Sequence, residues 1–353
     1  MSSGPAGKRA FHGHVRFRTV DGIRVRHAES ERRREHTLLL TSPWPESLYA
    51  FAPIWSALAK RAHLVAVELP GFGRSERRDD LLSPSAMGDF IARLIEEWGL
   101  VKPHIVGPDV GTSAVLFAAA ARPDLMSSVV VGSGAAAVPL QLGEPLASWV
   151  LEPDLERFRA TDPRALVGAA IDTIEAGVAD DVRADYLESY DGDRFVESMR
   201  YVRSYPEELP ELARRLAEIE TPVQIIAGGR DPAVPLVNAE FLDERLSNSR
   251  LTVIDAGHFV WEEAPMEYAS AVIDWIAGVV TVVRADNQAE AELLQGLLEA
   301  EGVPSYLRRT AGFDVPDFLA AGPRDVVVPV DVEQVARDVL LLSGRRKGRT
   351  PPP

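Results

Sequence analysis

One short stretch in the first third of the chain limits the folds that this sequence can adopt. An apolar run, His104-Ile-Val-Gly-Pro108, overlaps Gly107-Pro-Asp-Val-Gly111 and leads into small apolar residues that end at Ala121. Glycines tolerate the backbone angles of a tight turn and let a following helix pack closely. The pattern therefore predicts a strand, a sharp turn and a helix, with Asp109 at the tip of the turn.

A carboxylate at such a tip suggests a specific chemistry. Asp109 can attack a saturated carbon and form an ester that joins the substrate to the protein. Hydrolysis of that ester needs a base for the attacking water and an acid that orients the base. A downstream histidine and a second acid are therefore the residues that would support this role.

The order of predicted elements indicates a mostly parallel sheet. Apolar runs alternate with helix-forming segments over residues 14–134, and the strand pattern returns over residues 219–278. This alternation is typical of a doubly wound α/β sheet. Residues 135–218 lack strand patterns, so we expect them to form a helical lid inserted between two strands.

The rest of the chain predicts a second unit and two tails. Residues 279–343 have the pattern of a small β-α-β-β-α domain, which is a candidate surface for a homo-oligomer or a protein partner. Residues 1–13 are rich in Gly, Ser and basic side chains, and residues 344–353 are basic and rich in Pro. We expect a disordered leader and a disordered tail.

Composition narrows the function classes. The formal net charge of −15 argues against nucleic acid and against an anionic membrane surface as partners. Cys is absent, which excludes disulfides and a thiol nucleophile. No signal peptide or membrane-spanning run is visible, and no His or acidic cluster has metal-ligand spacing. We expect a cytoplasmic protein that works without a cofactor.

Two later segments supply the histidine and the acid. Asp231 ends the run Ala-Gly-Gly-Arg-Asp after one predicted strand, and His258 follows Asp-Ala-Gly after the next. Because the carboxyl ends of parallel strands lie at one edge of a sheet, both side chains are expected near Asp109. His258 would act as the base and Asp231 would orient it. Asp255 and Asp124 are weaker candidates for the acid.

These three segments resemble the α/β-hydrolase fold over residues 14–278. Because the residue at the turn is an aspartate, the chain resembles the branch of that family that contains epoxide hydrolases and haloalkane dehalogenases. The chain order of nucleophile, acid and histidine is the one that this fold uses. The resemblance implies that Asp109 is a nucleophile. The C-terminal segment resembles a small bacterial domain assigned to signal transduction.

The resemblance also implies an oxyanion hole made of two backbone N–H groups, those of Val110 and Trp44. Trp44 belongs to Ser42-Pro-Trp-Pro45, where the family has His-Gly-x-Pro. The first two residues of this loop depart from the family, although neither proline removes the Trp44 N–H. A role for Trp44 in packing or as a pocket wall stays open.

The leaving group separates the two subfamilies. The resemblance implies that a dehalogenase carries Trp directly after the nucleophile, whereas this chain has Val110. Opening an epoxide needs phenol groups from the lid that protonate the oxygen. Tyr201 is the first candidate donor, and the other proposed donors or substrate contacts are Tyr205, Tyr190 and Trp149.

The sequence therefore predicts an epoxide hydrolase that converts a small apolar epoxide and water into a diol. A haloalkane dehalogenase with the same triad, in which Trp44 or Trp149 binds the halide, is the first alternative. A non-catalytic binding protein on a hydrolase scaffold is the second, because of the altered Ser42-Pro43 loop and the appended domain.

Overall fold

The computed structural model describes residues 13–310 and 322–347. The chain forms two compact units, the first ending at Ala269 and the second starting at Ser270. Apart from Gly13, the predicted disordered leader lies outside the described residues. So does the predicted tail from residue 348 onwards.

The first unit is built on one eight-stranded sheet. Its strands are β1 His14–Val20, β2 Ile23–Glu29, β3 His36–Thr41, β4 Ala62–Val67, β5 His104–Pro108, β6 Ser128–Gly132, β7 Val223–Gly228 and β8 Ser249–Ile254. Their spatial order is β1-β2-β4-β3-β5-β6-β7-β8. The pairs β1–β2 and β2–β4 are antiparallel, and all other neighbours are parallel. The predicted mostly parallel α/β sheet is confirmed.

Helices cover the sheet and explain the composition of its strands. They are α1 Ala52–Ala59, α2 Pro84–Trp98, α3 Gly111–Ala121, α10 Val237–Arg245 and α11 Val260–Glu263. A further helix, α12 Pro265–Ile276, begins in the first unit and ends in the second. Every residue of β4, β6 and β7 is buried. Strands that are buried on both faces need continuous apolar runs, which is the pattern that the sequence shows.

The chain between β6 and β7 corresponds to the predicted lid. Its helices are α4 Leu146–Leu151, α5 Glu156–Arg159, α6 Pro163–Ile171, α7 Asp180–Ser189, α8 Arg194–Arg203 and α9 Tyr205–Arg215. This insertion leaves the sheet at the carboxyl end of β6 and returns to it at the start of β7. It therefore starts at the edge where ligands of open α/β sheets bind.

The second unit has a three-stranded antiparallel sheet. Its elements are β9 Val279–Ala285, α13 Gln288–Ala300, β10 Tyr306–Arg309, β11 Arg324–Pro329 and α14 Glu333–Lys347. The strand order is β10-β11-β9, and a small apolar cluster that includes Val282, Leu298 and Val326 forms its core. The predicted small C-terminal α+β domain is confirmed. Its last helix continues to Lys347, so the predicted tail is helical over its first residues.

No helix within the described ranges combines the length and the apolar character that crossing a bilayer requires.

Candidate active site

Asp109 lies at the turn between β5 and α3, as the sequence predicts. Its φ of 53° is a left-handed backbone angle that few residues other than glycine adopt. A Cβ on Gly107 would lie 2.5 Å from Val115 Cγ2, and one on Gly111 would lie 2.4 Å from Thr41 Oγ1. The two glycines are therefore needed for the close approach of strand, turn and helix. The strained turn holds Asp109 at the carboxyl end of β5.

The two carboxylate oxygens of Asp109 have different partners. Trp44 N–H donates to Oδ2 at 2.6 Å, and His258 Nε2 lies 3.6 Å from Oδ1. Val110 N–H makes no hydrogen bond to this carboxylate within the described structure, so the only backbone donor observed on it is Trp44. The Ser42-Pro43 sequence thus leaves the Trp44 N–H in the position that an oxyanion hole requires.

His258 and Asp231 come from the loops after β8 and β7. His258 Nδ1 lies 2.8 Å from Asp231 Oδ2, and both side chains are buried. The other oxygen of Asp231 accepts hydrogen bonds from Ala233 N–H at 2.9 Å and Val234 N–H at 2.8 Å. These backbone bonds fix the carboxylate, and the carboxylate fixes the orientation of the imidazole. Asp255 instead pairs with Arg230.

Electrostatics favour a protonated imidazole in this arrangement. Burial disfavours the charged form of His258, but the carboxylates of Asp231 and Asp109 outweigh burial and raise its pKa to about 10. At neutral pH the site therefore holds an imidazolium between two acids. A change that removed the charge of Asp109 would weaken this stabilisation and lower the pKa of His258.

A narrow cavity opens beside the carboxylate of Asp109. Its volume is about 70 Å³, enough for a few water molecules or a small ligand. The lining residues are Trp44, Pro45, Asp109, Glu144, Pro145, Leu146, Trp149, Ala170, Thr173, Pro232, Ala233, His258 and Phe259. No Lys or Arg belongs to this lining. The wall is apolar, and its only charged side chains besides the triad members are acidic.

The structure does not bring the candidate tyrosines into this cavity. Tyr201 Oη donates to Val110 O at 2.8 Å and lies 3.3 Å from Ser113 Oγ. Tyr190 Oη accepts from Gly73 N–H at 3.2 Å. Tyr205 packs edge-on against Tyr201. Tyr201 is thus bonded to the residue that follows Asp109, whereas none of the three phenols lines the cavity.

The two candidate tryptophans do line the cavity. Their rings meet edge to face with centroids 5.2 Å apart. Trp44 Nε1 donates to Ser198 Oγ at 2.8 Å, so this indole N–H is already used. The structure gives Trp149 Nε1 no hydrogen-bond partner among the described residues. Of the two indoles, Trp149 is the one available to a ligand.

Sequence reasoning missed a second group of buried acids beside the triad. Glu46 is fully buried directly after the Trp44 loop and accepts a hydrogen bond from Trp261 Nε1 at 3.0 Å. Burial and the neighbouring Glu262 raise the pKa of Glu46 well above its usual range. Tyr186 of the lid donates to Glu262. The contact from Tyr186 depends on how the lid packs, and no sequence motif indicated this group of acids. No group of three or more potential metal ligands occurs within the described ranges.

A family model of the α/β-hydrolase fold matches residues 37–265, which include Asp109, Asp231 and His258. The chain belongs to this family. It is therefore a hydrolase of the α/β fold. The match ends before the second unit, so the resemblance of residues 279–343 to a signalling domain stays a prediction.

Individual relatives differ in their activities. The chain is 28% identical over 284 residues to a protein named carbamate hydrolase RutD from Caulobacter sp. strain K31, covering 74% of this chain and 97% of that protein. It is similar in fold to Cfl2 from Burkholderia cenocepacia, with a TM-score of 0.66, 22% identity and coverage of 76% and 97%. The epoxide hydrolase CorEH gives a TM-score of 0.64, 18% identity and coverage of 75% and 99%. These likenesses define the fold and leave the substrate open.

Proposed function

We propose that this α/β hydrolase converts a small epoxide into a vicinal diol through an alkyl-enzyme ester on Asp109. The observation that carries the proposal is the placement of one carboxylate between two groups. Oδ2 receives the Trp44 N–H, and Oδ1 faces His258 Nε2 at 3.6 Å. Such a carboxylate has a free oxygen for attack and a fixed oxygen that can accept negative charge later.

In the first step, Asp109 Oδ1 attacks a ring carbon, and the carbon–oxygen bond of the oxirane breaks. The departing oxygen takes a proton, and Asp109 becomes a neutral ester. In the second step, water attacks the carbonyl carbon of that ester and gives its proton to His258. Negative charge develops on Oδ2, where the Trp44 N–H stabilises it. The bond between the ester oxygen and the carbonyl carbon then breaks, and the diol leaves with a proton from His258. The acid formed on Asp109 gives its own proton back to His258 as the carboxylate returns.

The charge of Asp109 switches the role of His258 between these steps. In the free site the pKa of His258 is raised to about 10 by two carboxylates, against the effect of burial. Formation of the ester neutralises one of them, so the pKa of His258 falls. The imidazolium can then lose its proton and act as a base when water has to be activated.

The proton for the departing oxygen is assigned to Tyr201, and the proton that His258 loses after ester formation returns the resulting phenolate to a phenol. Its hydroxyl is the one phenol that is bonded to the residue next to the nucleophile, through Val110 O at 2.8 Å. Because the resting hydroxyl donates to that carbonyl, ring opening requires Tyr201 to exchange this acceptor for the substrate oxygen. Catalytic hydrogen bonds commonly form only in the substrate complex.

Haloalkane hydrolysis is the second candidate, and the available indole N–H of Trp149 favours it. A halide needs converging N–H donors, however, and the other nearby indole, Trp44, donates to Ser198. Val110 offers no side-chain donor. For these reasons the epoxide is placed first.

The cavity supports an uncharged apolar substrate. Its wall is made mainly of Trp, Pro, Leu, Phe and Ala side chains, and no Lys or Arg belongs to the lining. A substrate carboxylate would meet Asp109 and Glu144, and the His258 imidazolium of the lining is already paired with Asp109 and Asp231. The proposed substrates are therefore small epoxides without an acidic group.

The test is turnover in water enriched in heavy oxygen, followed by mass analysis of the peptide that contains Asp109. Incubation with a panel of small epoxides should give diols, and after several turnovers the peptide should carry label from the hydrolysed ester. An active protein with an unlabelled peptide would exclude the mechanism. Halide release from chloro- and bromoalkanes, without diol formation, would favour the dehalogenase. Ligand binding that survives Asp109→Ala, with no turnover of either panel, would favour a binding protein.

A further inference from the structure

The loop that carries Trp44 is tied to the lid by two side-chain hydrogen bonds. The Trp44 indole donates to Ser198 of α8 at 2.8 Å, and the second bond involves Ser47. Ser47, three residues after Trp44, donates through Oγ to Asp185 Oδ2 at 2.6 Å. Asp185 belongs to lid helix α7. Both residues are buried, so water does not compete strongly for this bond. The lid therefore contacts the same short loop that places a backbone N–H on Asp109.

Buried charges hold Asp185 in place. Arg26 of β2 donates to both carboxylate oxygens of Asp185, at 3.0 and 2.8 Å, and to Glu68 at 3.0 Å. Arg74 lies 3.0 Å from Asp185. Glu68 in turn accepts from Leu48 N–H at 3.2 Å and Arg74 N–H at 2.6 Å. Asp185 thus has two cationic partners, Arg26 and Arg74, and Arg26 also pairs with Glu68, so each buried charge has a charged partner.

We propose that Ser47 and Asp185 are positioning residues that couple the lid to the oxyanion hole. The inference rests on the proposed function. With the lid in place, Asp185 fixes Ser47, and the short connection from Ser47 back to Trp44 holds the Trp44 N–H against Asp109 Oδ2. When the lid moves away, the loop loses this anchor. Ester hydrolysis then slows because its charge-stabilising donor is less well placed.

Ser47→Ala removes the link and leaves the ion pairs of Asp185 with Arg26 and Arg74 intact. We expect kcat for epoxide hydrolysis to fall about 10- to 100-fold with little change in KM, and the ester on Asp109 to accumulate. Ser47→Thr keeps the hydroxyl and should restore most of the rate. Because Ser47 also accepts from Tyr49 N–H, the second variant has to remove the link from the lid side.

Asp185→Asn is that second variant, and in combination with Ser47→Ala it should slow hydrolysis no further than either change alone. Asp185→Asn removes the negative charge that faces the buried guanidinium of Arg26 and therefore lowers stability, so folding is checked by thermal melting. If it does not fold, the test rests on Ser47→Ala and Ser47→Thr. The matched control is Asp191→Asn, which breaks a bidentate pair with Arg164 elsewhere in the lid. Its kcat should equal that of the wild type.

Amide hydrogen exchange gives a readout that does not depend on activity. The peptide over residues 42–48 should exchange its amide hydrogens faster in Ser47→Ala than in the wild type. In Asp191→Asn its exchange rate should equal that of the wild type. If Ser47→Ala kept the kcat and the exchange rate of the wild type, the proposed coupling would be overturned. It would also be overturned if Asp191→Asn lost as much kcat as Ser47→Ala. A wild-type protein without turnover would instead reject the proposed function, and the exchange result would still decide whether the lid anchors the loop.

Discussion

The two sides of the cavity are built differently. On the sheet side, Asp109, Asp231 and His258 lie directly after strands, and backbone N–H groups hold the two carboxylates. On the lid side, the phenols bond to backbone atoms of the core, such as Val110 O and Gly73 N, and do not line the cavity. The sheet side therefore holds the proposed nucleophile, base and orienting acid, whereas the lid side supplies walls, anchors and the proposed proton donor Tyr201. Variants on the sheet side should cost much more rate than variants of the lid.

The largest expected effect comes from His258→Gln. Attack by Asp109 does not need the imidazole as a base, but hydrolysis of the ester does. We expect kcat to fall about 10³-fold, with one equivalent of alkylated Asp109 detected by mass spectrometry after mixing with an epoxide. If no adduct formed and the first step were also slowed, the assignment of attack to Asp109 and of water activation to His258 would be contradicted. Asp109→Asn serves as the control that forms no adduct.

The raised pKa of His258 predicts a dependence of stability on pH. Its folded-state pKa of about 10 exceeds the ordinary value, because Asp231 and Asp109 outweigh the opposing effect of burial. The stabilisation is fully present below a pH of about 6.5 and is lost as the pH rises towards 10. Over this window the wild type should lose up to about 1.4 kcal/mol of unfolding free energy per pH unit relative to His258→Gln. Denaturant unfolding at several pH values measures this, and parallel curves for the two proteins would contradict it.

A smaller effect is expected from the lid phenol. Tyr201→Phe removes the proposed proton donor and should slow formation of the ester about 10-fold, measured as the rate of the first turnover. Tyr190→Phe is the matched control, because it also removes a buried phenol that contacts a backbone atom of the core. Trp149→Phe tests the alternative, since it keeps an aromatic ring and removes the indole N–H. A larger loss of the first-turnover rate in Trp149→Phe than in Tyr201→Phe would favour the halide reaction.

The same contrast explains how much of the site the sequence could predict. Asp109, Asp231 and His258 could be brought together because each follows a strand, and parallel strands bring their ends to one edge. The Trp44 N–H could be included because the loop length was kept, although two residues of the loop had changed. The Trp44 indole bonds to Ser198, 154 residues away, and no local pattern encodes that contact.

The lid was predictable only as a helical insertion. The spacing of apolar residues indicates that a helix packs against another element. It does not indicate which hydrogen-bond acceptor a buried hydroxyl has in the folded protein. Burial raises the pKa of Tyr201 and Tyr190, so both hydroxyls keep their protons in the resting state. Tyr201 nevertheless donates to Val110 O, whereas Tyr190 accepts from Gly73 N–H. Composition could count the lid tyrosines, but their partners depend on how α8 and the neighbouring lid segments pack.

The smallest expected effect concerns substrate charge. Glu144 is exposed at the lid side of the cavity, and the lining holds no Lys or Arg that would offset its charge. Glu144→Gln should lower kcat/KM for an oxirane bearing a trimethylammonium group about 2- to 5-fold and leave a neutral oxirane of equal size unchanged, because exposed charges interact weakly through water. Salt near 1 M should remove the difference. Glu175→Gln, an exposed lid carboxylate outside the lining, is the control, and an equal loss in it would show that the cavity wall does not select for charge.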